Sequence, residues 1–145
     1  MVHSSSDEAY VIDLCDVILG ETALRQHRFP WLQGDPGSDG RTRMLPVDAY
    51  YPDHQLVIEY RERQHDEPVP FFDRRQTVSG VTRGAQRRLY DERRDVEIPQ
   101  RGLTLIVVRP RELVCDQRQR LRRDHERDLV HLQKLLAARY STDAA

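Results

Sequence analysis

The stretch Leu45-Pro46-Val47-Asp48-Ala49-Tyr50-Tyr51-Pro52, followed after a three-residue gap by Leu56-Val57-Ile58-Glu59-Tyr60, decides the fold. Arg43 to Tyr51 mixes β-formers with polar residues, Pro52-Asp53 reverses the chain, and Leu56–Tyr60 is a short apolar run of the kind that becomes a central strand. Two adjacent strands are therefore expected, with Asp48 on the first and Glu59, 11 positions later, at the end of the second. Their acids should meet near one end, where both can face a common ion. Two hard carboxylate oxygens, with a strand carbonyl and waters, suit Mg²⁺, which takes few protein ligands and keeps much of its hydration. The same spacing is also compatible with Asp48 capping a turn and Glu59 being solvated.

Upstream, Asp7 to Leu19 reads as a helix. Serines supply an N-cap, Asp7 and Glu8 sit at the positive end of the dipole, and Gly20 is a natural stop. Val11, Leu14, Cys15, Ile18 and Leu19 make its buried face. A further strand is possible near Arg25–Leu32, and Gln33 to Gly40 is turn chemistry throughout. Downstream, residues 66–82 form a long irregular connection, a length that is usually functional or mobile in a small domain. Arg83 to Asp95 then reads as a highly charged helix broken by Pro99 and Gly102, and Leu103–Val108 as a strand. Arg111 to Tyr140 reads as a last helix with Val114, Leu121, Leu129, Leu132, Leu136 and Tyr140 as its apolar stripe. The expectation is an α/β fold, a mixed sheet flanked by helices, with a core over 7–110 and a C-terminal helix over 111–140 that packs on the core or docks a partner.

The chain has 145 residues, enough for one ordinary domain, with 38% apolar and 32% charged residues. No 18-residue apolar run is present, which argues against a membrane helix. Met1–Glu8 lacks the pattern of a secretory leader. Cys15 and Cys115 are too far apart in sequence for a zinc motif and too few for a disulfide framework, and small buried apolar roles suit them best. A reduced, cytoplasmic setting is expected. Net charge is −1, but it is unevenly distributed: residues 1–67 carry 13 acids and 6 arginines, whereas residues 68–145 carry 17 bases and 11 acids. That segregation hints at an anionic ligand.

The run Leu45–Pro52, then Leu56-Val57-Ile58-Glu59-Tyr60-Arg61-Glu62-Arg63-Gln64-His65, resembles the PD-(D/E)XK nuclease superfamily, with its restriction-endonuclease-like fold. It is most similar to the branch holding the very short patch repair endonucleases and related homing endonucleases, described by the motif EDxHD. The resemblance covers about residues 7–110 and implies Glu8, Asp48, His65 and Asp91 as the motif's residues, with Glu21 competing for the place of Glu8. It implies Asp48 and Glu59 as metal ligands, Tyr60 as the donor of a main-chain carbonyl, and Mg²⁺ or Mn²⁺ as the cofactor. His65 would lie near the scissile phosphate, where an imidazole can accept a proton from water or donate a hydrogen bond; a backbone-satisfied turn histidine is the other reading.

Two departures stand out. Val47 occupies the place of the family's proline, and Arg61 that of its lysine. Arginine can stabilise developing charge but cannot shed a proton to act as a base, so water activation would fall to the metal, to His65 or to Gln64. On the following helix, Arg83, Arg87 and Arg94 share a face suited to phosphates, and Gln86 and Asp91 match residues that face the site in similar proteins. A solvated, ion-paired helix is the alternative. Trp31, beside Phe29 and Pro30, suits core packing or stacking on a base. These readings imply a magnesium-dependent endonuclease acting on DNA, with RNA also open, or else a non-cleaving domain of the same fold that binds nucleic acid or protein. A third expectation makes residues 111–140 a dimer or partner-docking element.

Overall fold

In the computed structural model, which describes residues 6–62 and 82–139, Leu56–Tyr60 is the strand around which the rest is arranged. It is β3 of a four-stranded sheet ordered β1-β2-β3-β4, where β1 is Leu24–Gln33, β2 Met44–Tyr51 and β4 Thr104–Val108. β1, β2 and β3 run antiparallel, and β4 lies parallel to β3. A parallel neighbour requires a crossover, and helix α2, Arg83–Gln100, lies within it. The fold class is thus as expected: mixed α/β, one domain, with a C-terminal helix α3 over His125–Arg139.

Side chains alternate across β3. Leu56, Ile58 and Tyr60 enter one core, shared with α1 (Asp7–Leu19), Ile106 and Val108 of β4, and Leu132 and Leu136 of α3. Val57 enters the other, with Phe29, Val47 and Ile98 of α2. Glu59 therefore faces the α2 side. Ala49 pairs with Ile58 and Tyr50 with Val57 across the β2–β3 ladder, so Asp48 precedes the first of these pairs. Each fully buried aliphatic side chain of these cores contributes roughly 1.5–3 kcal/mol.

α1 has the ends its sequence suggests. Ser6 Oγ accepts the Ala9 N–H, and Gly20, at φ 67°, closes the C-terminus by donating to the Asp16 carbonyl. Val11, Leu14 and Cys15 are buried, joined by Tyr10 and Ile12.

Two expected boundaries are corrected. α2 continues past Asp95 to Gln100, carrying Pro99 inside its final turn. A proline there forfeits one N–H while its fixed φ suits the helix, and fully buried Ile98 holds the last turn against the sheet. The final helix starts at His125, not Arg111. Residues 110–124 instead comprise a short 3₁₀ turn at Pro110–Glu112, an antiparallel bridge between Cys115 and Leu121, and left-handed Gln119 and Arg123. Asp116 dictates this, because its carboxylate accepts the main-chain N–H groups of Arg118 and Arg120, which a helix would need elsewhere. α3 packs on the core through Leu132 and Leu136, and Tyr140 lies outside the described residues.

Phe29 is buried and stacks on Trp31 at 4.6 Å, with the Arg101 guanidinium over the indole, so this pair packs the second core. Both cysteines are free; the Cys15 thiol is buried, which pushes its pKa up to about 12. Among the described residues no helix is long and apolar enough to cross a membrane.

Candidate active site

β2 and β3 bring Asp48 and Glu59 together at the end of their ladder. The Asp48 N–H donates to Glu59 Oε2 at 2.7 Å, and the Tyr60 N–H donates to Asp48 Oδ2 at 2.8 Å. Each carboxylate thus substitutes for a strand carbonyl, which fixes both side chains in place. α1 contributes Glu8 from its first turn. Gln26 of β1 donates its amide to Glu8 Oε2 at 2.7 Å and, more weakly, to Asp48 Oδ1 at 3.4 Å. Glu21, the alternative to Glu8, is engaged elsewhere, accepting the Asp53 N–H and pairing with His54 Nδ1 at 2.8 Å.

Glu8, Asp48, Glu59, Tyr60 and Arg61 line one cleft of about 450 Å³ with Ser6, Pro46 and Glu62, and α2 closes it with Arg87, Asp91 and Arg94. Arg83 and Gln86 of the same helix are not among its walls. Residues 63–81, with Gln64 and His65, lie outside the described residues, as does most of the 66–82 connection.

The carboxyls crowd one another. Burial, then the charge of Asp48, push Glu59 up to about 7 against the pull of Arg94, the Asp48 N–H and Arg61. Burial likewise raises Asp48, despite the Tyr60 N–H, the Gln26 amide and Arg94. Burial and the charge of Asp48 raise Glu8, against the pull of the Gln26 amide and Arg25. Raised values at neighbouring acids signal negative charge without enough compensation.

Two guanidinium groups supply part of that compensation. Arg61 is 6% exposed. Its Nη2 lies 2.9 Å from Asp95 Oδ1 and 3.7 Å from Glu59 Oε1, and its Nε 3.7 Å from Asp91 Oδ1. Neither nitrogen is aligned in a hydrogen bond among the described residues. Burial opposes its charge, but the carboxylates of Asp95, Asp91 and Glu59 outweigh that and keep it cationic. Arg94 is turned inward: Nε donates to the Pro46 carbonyl at 3.1 Å and Nη1 to Asp91 Oδ1 at 2.9 Å, leaving its side chain 13% exposed. Asp91 therefore serves as the carboxylate partner of Arg94. Arg87 is the exposed arginine of this wall.

The donors suit a hard cation in a restricted way. Among the described residues no group of three or more His, Cys, Asp or Glu side chains stands as a ready metal shell, and protein N–H groups already occupy Asp48 Oδ2 and Glu59 Oε2. What fits is a cation held by few carboxylate oxygens that keeps most of its water, which is the habit of Mg²⁺. Asp48 and Glu59 would hold it, with Glu8 beside them. Tyr60 contributes its N–H to Asp48, an orienting role distinct from the carbonyl ligand that the motif implies.

Gln26 escaped sequence reading. It sits in the left-handed region at φ 51°, within a strand and without being glycine. No residue type marks such a position; only the partner strand reveals it, since Gln26 falls between Arg25, which pairs with Ala49, and His27, which pairs with Val47. No family model, no curated protein and no solved structure matches this chain.

Proposed function

We propose that this chain is a Mg²⁺- or Mn²⁺-dependent endonuclease that hydrolyses DNA phosphodiester bonds, related to the EDxHD branch of the PD-(D/E)XK nucleases. The observation that carries the reading is the junction of Asp48 and Glu59, joined through the Asp48 N–H in the wall of a cleft that Arg61, Arg87 and Arg94 also line. The helix–three-strand–helix–strand order agrees with it, because that order puts both acids beneath α2.

A divalent cation bound there would lower the pKa of a coordinated water and offset charge on the phosphate. Asp48 and Glu59 would hold the cation, and the Tyr60 N–H and Gln26 amide keep Asp48 oriented. Arg61 holds a fixed positive charge beside Glu59, suited to stabilising a transition state and unable to abstract a proton. Arg87 offers a planar fork to a phosphate oxygen pair. A cytoplasmic setting, with DNA as the partner, belongs to the same proposal.

One observation favours a second reading, a non-cleaving domain of this fold that binds nucleic acid or protein. Arg61 and Arg94 already lie 3.7 and 3.8 Å from Glu59 Oε1, so protein cations stand where a metal's charge would act. Nicking of supercoiled plasmid separates the two. The first reading expects nicking that requires Mg²⁺ or Mn²⁺ and is lost in Asp48→Asn. Binding without turnover under both metals supports the second.

A further inference from the structure

The stretch Val114–Arg122, read from sequence as helix, is a small hairpin. The Arg122 N–H donates to the Val114 carbonyl and the Asp116 N–H to the Arg120 carbonyl, while Gln119, at φ 63°, turns the tip. Asp116 accepts from the main chain of Arg118 and Arg120 and pairs with the Arg120 side chain, so the tip is held from within. Leu121 packs inward on the core, and side chains alternate along an extended segment, so Arg120 and Arg122 point out to solvent. Arg118 at the tip is exposed as well.

The base of the hairpin is fastened to the body by a buried carboxylate. Asp128 is fully buried; its Oδ1 accepts the Val114 N–H at 2.9 Å and its Oδ2 the Tyr10 hydroxyl at 2.5 Å. Arg123 then pairs with Asp7 at 2.9 Å. Asp7 stands between Ser6 and Glu8, both of which line the cleft. A basic projection is thus tied to α1 beside two residues of the cleft wall.

We infer that this hairpin is a backbone clamp for double-stranded DNA, with Arg118, Arg120 and Arg122 contacting phosphates outside the cleft. The inference rests on the proposed nuclease reading and supplies its substrate track. A preorganised backbone adds no loop-ordering cost to that of the arginine side chains, and planar guanidinium groups match phosphate oxygens. Such contacts position a duplex without reading its sequence.

The test is fluorescence anisotropy with a labelled 20-bp duplex in EDTA, across a salt series, for the wild type, the double variant Arg118→Gln/Arg122→Gln, and Arg87→Gln. Thermal denaturation of each variant checks folding, and both hairpin positions are exposed. The expected result is a fall of about 1 in the salt slope per lost phosphate contact, so about 2 for the double variant, with several unrelated duplexes affected alike. An unchanged slope in the double variant, with a reduced one in Arg87→Gln, overturns the clamp and leaves the nuclease reading standing. Absence of duplex binding by the wild type, both in EDTA and with Ca²⁺ in its place, overturns both. Loss confined to one duplex sequence also contradicts a backbone clamp.

Discussion

The Asp48 N–H donates to Glu59 Oε2 across 2.7 Å, so a residue expected to bind metal also anchors its neighbour through its own main chain. The pair is one unit: displacing either side chain moves the other. Its charge is under-compensated, and the measurable consequences follow from that.

Neutralising one acid should stabilise the fold while removing function. Glu59→Gln keeps an oxygen to accept the Asp48 N–H and deletes a buried charge. At pH 8 without metal, chemical denaturation is expected to show a gain on the order of 1 kcal/mol, while metal-dependent nicking disappears, the trade-off common at strained sites. A loss of stability would show that ionised Glu59 is well compensated.

The pH dependence has a defined sign. Glu59 rises from its ordinary 4.5 to about 7 on folding, so the native chain binds the proton more tightly than the unfolded one. Its contribution to stability is complete below pH 4.5 and is lost as pH rises toward 7. Urea midpoints of the metal-free protein, measured against Glu59→Gln across that window, should diverge in this direction. Added Mg²⁺ should reduce the divergence, because the cation favours the ionised form.

Gln26 separates strain from placement. Glycine adopts the left-handed conformation without steric strain, which offsets its larger entropy loss on folding, so Gln26→Gly is expected to keep or raise the melting temperature yet weaken Mn²⁺ binding about tenfold through loss of the amide beside Glu8 and Asp48. Asparagine tolerates the same backbone but is one methylene shorter, and Gln26→Asn should weaken binding as well. Unaltered Mn²⁺ affinity in both would make Gln26 a backbone curiosity.

Tyr10→Phe tests the fastening of α1 to α3. Removing the hydroxyl leaves buried Asp128 with one donor fewer, a loss expected to cost about 1–3 kcal/mol in denaturant unfolding. A neutral result would mean that water reaches the carboxylate.

Sequence pattern carried the core of the fold and less of the site. Leu56–Tyr60 and Asp7–Leu19 were readable because apolar spacing and end caps agree there. Pro99 misled as a stop because burial of Ile98 beside it offsets the hydrogen bond that a proline in the final turn forfeits. The Val114 and Leu121 spacing imitates a helical stripe, whereas Asp116 spends its carboxylate on main-chain N–H groups and bends the segment into a hairpin. At the site, Asp48 and Glu59 meet as their spacing suggested, and Glu8, which only the resemblance implied, lines the same cleft. Arg94 lies on the expected face but is drawn inward by Asp91 and Pro46, pairings that depend on tertiary approach. Gln26 left no local trace at all.

The most direct test is isothermal titration of Mg²⁺ and Mn²⁺ into the wild type and Asp48→Asn at pH 7.5. Saturable binding by the wild type with release of protons, abolished in Asp48→Asn, is the result expected of two acids that share a cation. No binding by the wild type, or equal binding by the variant, would contradict it.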